Sequence, residues 1–154
     1  QGCTHHCKGC INPESWAKTG GTHRTPYELL RSVDPAADGI TLTGGEPFQQ
    51  DLCELYQLIC GARARKLNVT IFTGYTFEEI NMQPLMLECL SNCTTAIIGI
   101  YEQDKPCQEP LRASTNQIVL GEHGGVADAE MFYDMDTGLI VATGVHVDMK
   151  RRPR

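Results

Sequence analysis

The chain has 154 residues, enough for about one domain, with 41% hydrophobic and 21% charged residues, an ordinary globular balance. Its formal net charge is −6, and leaving out the four basic residues of the tail Lys150-Arg151-Arg152-Pro153-Arg154 takes it to −10, which excludes non-specific nucleic-acid binding through a basic surface. No apolar run approaches the ~18 residues of a membrane span and no signal-peptide pattern opens the chain, so neither nucleic acid nor membrane is expected as a partner.

In chain order, Gly20-Gly21 separates a cysteine-rich segment from the first helical pattern. Thr25-Pro26-Tyr27-Glu28 reads as a capping box with proline at the first helical position, predicting a helix from Pro26 to about Val33 that stops at Asp34-Pro35. Gly39 to Thr43 predicts a short strand ending in Gly44-Gly45. From about Asp51 to Lys66, Leu52, Leu55, Tyr56, Ile59 and Ala62 recur near a 3.6 period, the pattern of an amphipathic helix. Asn68 to Phe72 is a β-branched strand closed by Thr73-Gly74-Tyr75, and Thr76-Phe77-Glu78-Glu79 is a second capping box. Pro84 to Leu90 predicts a further helix and Thr95 to Ile100 an apolar strand. This alternation predicts a mostly parallel sheet with helices packed on it. After Ser114 the texture changes. Gln117–Leu120, Met131–Tyr133 and Leu139–Ala142 read as strands, the last two joined at a hairpin turn, Asp136-Thr137-Gly138. The C-terminal quarter is therefore expected to be antiparallel, at the sheet edge or over its open end, and the basic tail solvated.

The cysteines are 3, 7, 10, 53, 60, 89, 93 and 107, too few for a disulfide scaffold. Three fall within eight positions, as expected of metal or cluster ligation in a reducing, cytoplasmic compartment. Their spacing, Cys3-x3-Cys7-x2-Cys10, lets three thiolates hold a cubane and leaves one iron without a protein ligand. Zinc closed by His5 or His6 is the rival at this point. Thr43-Gly44-Gly45-Glu46-Pro47 places two glycines and a carboxylate at a strand's carboxyl end, where α/β sheets bind ligands and where glycine permits close backbone approach.

Together the two motifs closely resemble the radical S-adenosylmethionine (SAM) superfamily. Gly9-Cys10, Ile11-Asn12-Pro13-Glu14-Ser15-Trp16, Phe72-Thr73-Gly74-Tyr75 and Leu111-Arg112-Ala113-Ser114-Thr115-Asn116-Gln117 resemble its glycyl radical activase branch, the activating proteins of anaerobic ribonucleotide reductase. The resemblance implies an α/β fold, an incomplete β/α barrel with a C-terminal antiparallel hairpin. It implies a [4Fe–4S] cluster on Cys3, Cys7 and Cys10, and SAM held by Thr43, Gly44, Gly45, Glu46, Thr73 and Asn116. Reductive cleavage of SAM would give a 5′-deoxyadenosyl radical that makes a glycyl radical on a partner enzyme, with a flavodoxin- or ferredoxin-type electron donor. The expected organisation is a core at 1–120, a hairpin extension at 121–149 and the tail at 150–154. The resemblance also implies a strand before the cysteine loop, which would precede Gln1, so the first strand is read as missing. Gly9 stands where many members carry an aromatic residue, and Gly99 where the branch usually carries an acid. Gly9 is as in the activase branch; the missing acid and the extra C-terminal hairpin keep open a radical enzyme acting on a small molecule or peptide, and the missing first strand keeps open a non-catalytic iron–sulfur or zinc module.

Other candidates have plainer readings. Cys53 and Cys60, seven apart on the long helix, are read as core. Cys89, Cys93 and Cys107 lack a Cys-x2-Cys pair and are read as buried or incidental thiols. His5 and His6 are expected to shape the cysteine loop, His23, His123 and His146 to be solvated or in loops, and Trp16 and Tyr75 to serve packing.

Overall fold

The computed structural model describes residues 1–121 and, beyond them, the backbone of two strands at 130–133 and 140–143. The elements run in the order α1 (Pro26–Ser32), β1 (Gly39–Leu42), α2 (Leu52–Ala64), β2 (Asn68–Thr73), α3 (Phe77–Asn81), α4 (Pro84–Ser91), β3 (Thr95–Ile98), β4 (Ile118–Gly121), β5 (Glu130–Tyr133) and β6 (Ile140–Thr143). Two short 3-10 turns, Pro13–Trp16 and Pro47–Gln49, were not visible in the periodicity. Each is opened by a proline, whose fixed φ suits a first turn.

The sheet is four-stranded, in the order β1-β2-β3-β4. β1, β2 and β3 run parallel, while β4 returns antiparallel against β3, pairing Ile98 with Ile118 and Thr95 with Gly121. The sheet is therefore mixed and open, its antiparallel strand at the edge where the C-terminal change of texture placed it. β3 ends at Ile98, two residues short of the expected Ile100, because Gly99 takes φ +107° and turns the chain out of the sheet.

Both capping boxes form. Thr25 Oγ1 accepts from the Glu28 N–H and the Glu28 carboxylate accepts from the Thr25 N–H; Thr76 and Glu79 repeat the exchange at α3. Asp51 caps α2, which then buries Leu55, Leu58, Ile59 and Ala62 along one stripe. That stripe meets Val69 and Ile71 of β2, Ile98 of β3 and Met86, Cys89 and Leu90 of α4 in one core. β3 is buried at all four positions, as expected of an inner strand in a sheet carrying helices. No helix among the described residues is long and apolar enough to cross a membrane.

β5 and β6 pair antiparallel, with Met131 opposite Ala142 and Tyr133 opposite Ile140. The turn at Asp136-Thr137-Gly138, His123, His146 and the tail lie outside the described residues.

A candidate iron–sulfur and cofactor centre

The three clustered cysteines sit on a loop held by backbone bonds to the Pro13–Trp16 turn. The Gly2 N–H donates to the Ser15 carbonyl at 2.8 Å and the Cys3 N–H to the Trp16 carbonyl at 3.1 Å. The Cys10 N–H closes on the Cys7 carbonyl at 3.1 Å, a tight turn that uses left-handed backbone at His6 (φ +48°) and Gly9 (φ +75°). Thr4 and the Gln49 carboxamide exchange two hydrogen bonds, and the His6 ring meets Trp16 edge to face. Cys3, Cys7 and Cys10 are free and half-buried. Burial pushes the Cys7 thiol above its ordinary pKa; the Tyr101 backbone amide pulls the other way, and the neighbouring Cys10 and Cys3 add to the rise. Among the described residues, no three His, Cys, Asp or Glu side chains form the ligand set of a single metal ion. A cubane takes its thiolates at separate iron corners, so its three cysteines need not converge on one point.

The end of β1 meets this loop directly. The Glu46 N–H donates to the Gly2 carbonyl at 2.8 Å, and the buried Ser15 hydroxyl donates to the Gly44 carbonyl at 2.8 Å. A Cβ on Gly45 would lie 2.6 Å from the Gly2 carbonyl oxygen, so this glycine is required by contact with the cysteine loop. Gly44 differs: its φ is +108° and a Cβ there would meet nothing within 4 Å.

The Glu46 side chain, only 2% exposed, ties three segments together. Oε1 accepts from the Thr73 hydroxyl at 2.7 Å and the Phe48 N–H at 3.0 Å, and Oε2 accepts from the Gly74 N–H at 2.8 Å. His5 Nε2 lies 3.2 Å from Oε2, an ion-pair contact outside hydrogen-bond alignment. Contact with this carboxylate raises the His5 pKa above its ordinary value, against the opposing effect of burial. The His5 ring packs edge to face on Tyr75 and against Gly74, where a Cβ would stand 2.6 Å from the ring.

The six residues expected around a cofactor thus divide. Gly45, Glu46 and Thr73 are engaged by the chain itself. Thr43 and Gly44 are exposed at the strand end. Asn116 donates through Nδ2 to the Ile100 carbonyl at 2.7 Å and keeps a buried Oδ1 with no partner. Sequence reasoning missed Ser15, Gln49, Tyr101 and Gln103 as supports of the loop. Tyr101 contributes only its backbone amide, which leaves no trace in the residue type.

The other cysteines stay apart from this centre. Cys53 is exposed, contrary to the core reading, because it lies off the buried stripe of α2. Cys60 is half-buried on α2, Cys89 is fully buried, and Cys93 and Cys107 are half-buried. Burial raises the Cys89 thiol to about 11 and the Cys93 thiol to about 12.

A family model described as a 4Fe-4S single cluster domain matches residues 1–120, the span of the cysteine loop and the four-stranded sheet. The chain belongs to this single-cluster family. Among curated proteins it is similar to the anaerobic ribonucleoside-triphosphate reductase-activating protein of enterobacteria phage T4, 34% identical over 132 residues, which covers 81% of this chain and 82% of the relative. The proteins of the same name from Pasteurella multocida (30% over 128 residues, 77% and 81% covered) and Escherichia coli K12 (28% over 128 residues, 77% and 82% covered) are similar too. No solved structure matches significantly. The single-cluster family supports an iron–sulfur cluster over the zinc alternative, and the relatives support an activating role on an anaerobic reductase.

Proposed function

We propose that this chain is a radical SAM activase that generates a glycyl radical on an anaerobic ribonucleotide reductase. Cys3, Cys7 and Cys10 would hold a [4Fe–4S] cluster, and Thr43, Gly44 and Asn116 would hold SAM. The observation that carries this reading is the direct contact of the two motifs: Gly45 and Glu46 pack on Gly2, one residue from Cys3. The residues present fit both groups. Three free thiols share one loop, the space at the Cβ position of Gly44 is open, and Asn116 Oδ1 is a buried acceptor without a donor. A buried acceptor left unsatisfied in this way is unfavourable, and a hydroxyl or amine of a bound molecule would satisfy it.

The cluster held by Cys3, Cys7 and Cys10, with SAM bound beside it, would supply one-electron reductive cleavage of SAM and, through the 5′-deoxyadenosyl radical so formed, hydrogen abstraction from a glycine of the partner. The protein's share is binding and orientation. Thr43, Gly44 and Asn116 offer polar groups to SAM. Gly45, Glu46 and Thr73 fix the strand end and the cysteine loop at one separation, and His5 buttresses that arrangement through Glu46. The open sheet, read as part of an incomplete barrel, leaves a side for a protein substrate to cover. The reductant would be a flavodoxin- or ferredoxin-type protein, and the clustered free thiols support a reducing, cytoplasmic setting.

The test is anaerobic reconstitution followed by reduction in the presence of SAM. About four irons and release of 5′-deoxyadenosine are expected. One tightly bound zinc and no cleavage would establish the non-catalytic module instead.

A further inference from the structure

The chain between β3 and β4 crosses the cysteine loop, and three side chains of one polar run pin it there. Gln117 Nε2 donates to the Gly99 carbonyl at 3.0 Å, Asn116 Nδ2 donates to the Ile100 carbonyl at 2.7 Å, and the Glu102 N–H donates to Ser114 Oγ at 3.2 Å. Gln117 is itself fixed, its Oε1 accepting from the Ala113 and Ser114 N–H groups at 2.9 and 3.2 Å. Ser114 and Gln117 are buried, at 0% and 8% exposure, so the anchors are rigid. The segment they hold in place reaches the cysteine loop at Gly9. The Gln103 carboxamide lies over Gly9, with Cδ 2.8 Å from where a Cβ would be and both terminal atoms within 3.1 Å.

We propose that Ile100–Gln103 is a clamp on the cysteine loop, anchored by Ser114, Asn116 and Gln117, with Gln103 as the positioning residue that covers the loop at Gly9 and limits access of water and oxygen to the metal centre. The proposal rests on the cluster reading above. Gly9 serves it in two ways: its φ of +75° closes the loop, and its missing Cβ makes room for Gln103. Exposure to solvent is one of the variables that set a cluster's potential, so a clamp that limits it would act on the potential as well as on lifetime.

Gln103 is exposed at the clamp's tip, so Gln103→Ala is compatible with folding. Residues 99, 100 and 102 stay pinned in that variant, and only the cover is lost. Reconstituted wild type and Gln103→Ala would be compared anaerobically for iron content and midpoint potential, then in air for bleaching of the cluster absorbance. The expected result is equal iron, a potential shifted upward by admitted water, and bleaching several-fold faster. Gly9→Ala should lower iron retention, and adding Gln103→Ala to it should restore part of the loss, because the side chain that the new methyl meets is then gone. Unchanged potential and bleaching in Gln103→Ala, with wild type fully loaded, would overturn the clamp. Wild type that assembles no cluster would overturn the cluster reading beneath it.

Discussion

Gly44 and Gly45 are adjacent in sequence, yet a methyl group on each should fail in a different way. At Gly45 the new Cβ would stand 2.6 Å from the Gly2 carbonyl oxygen and 3.0 Å from its nitrogen, both rigid backbone atoms. The strand end and the cysteine loop must then separate by several tenths of an ångström. Overpacking of this kind costs about 1–3 kcal/mol. The hydrogen bond from the Glu46 N–H to the Gly2 carbonyl is weakened by the same movement, adding about 1 kcal/mol. A loss of about 2–4 kcal/mol is a large part of the roughly 5–15 kcal/mol that holds a domain together, but does not exceed it. Gly45→Ala should therefore fold, melt lower by about 2–4 °C per kcal/mol in a chain of this size, and retain less iron after anaerobic reconstitution and desalting. At Gly44 the methyl enters open space, and the cost is the strain of a side chain at φ +108°, about 1–2 kcal/mol. Gly44→Ala should keep its iron and lose affinity for SAM, measured by anaerobic calorimetry. Wild-type iron retention in Gly45→Ala, or equal iron loss from both variants, would refute the assignment of Gly45 to the loop contact and Gly44 to the ligand.

Other expectations rest on the same geometry. Glu46→Gln places an amide donor among three donors, the Thr73 hydroxyl and the Phe48 and Gly74 N–H groups; urea titration should show a loss of at least about 2 kcal/mol, since hydrogen bonds to a charged acceptor are worth about 1.5–3 each. Thr25→Ala removes the α1 cap, away from the cysteine loop, and should cost about 1 kcal/mol with iron content unchanged. In metal-free protein at pH 8, iodoacetamide should label exposed Cys53 and spare Cys93 until denaturant is added, because a thiol held to about 12 carries almost no thiolate. The folded-state value of Cys93 lies above the 9.0 of a free thiol, so the stability linked to its protonation is full below pH 9 and is lost as pH rises toward about 12; a denaturation midpoint that rose across that window would contradict this.

The elements legible in the sequence were those set by local chemistry. Two capping boxes placed the starts of α1 and α3, and the apolar stripe placed α2 to within two residues at its C-terminal end. The antiparallel return of β4 was visible only as a change of texture, because which strand it pairs with depends on the loop between Gly99 and Gln117. The candidate site divides in the same way. Cys3, Cys7, Cys10 and the glycine pair stood out as spacings. That Gly45 also packs on the cysteine loop could not be read, since the contact is with a backbone 43 positions away in sequence. The structural ties of Glu46 were equally hidden: its three donors come from the end of β2 and from its own turn, and only the fold brings them together. Cys53 is exposed because the usual burial of free cysteine yields to its place on the helix: the buried stripe runs through Leu55, Leu58, Ile59 and Ala62.

The activase reading is tested most directly by electron paramagnetic resonance. The reconstituted protein would be incubated anaerobically with SAM, a low-potential reductant and an anaerobic ribonucleotide reductase from the same source. A stable glycine-centred radical on the reductase, absent when Cys7→Ala replaces the wild-type chain, is the predicted result. Release of 5′-deoxyadenosine with no such signal on any glycyl radical enzyme of that source would contradict it and assign the chemistry to a small molecule or peptide.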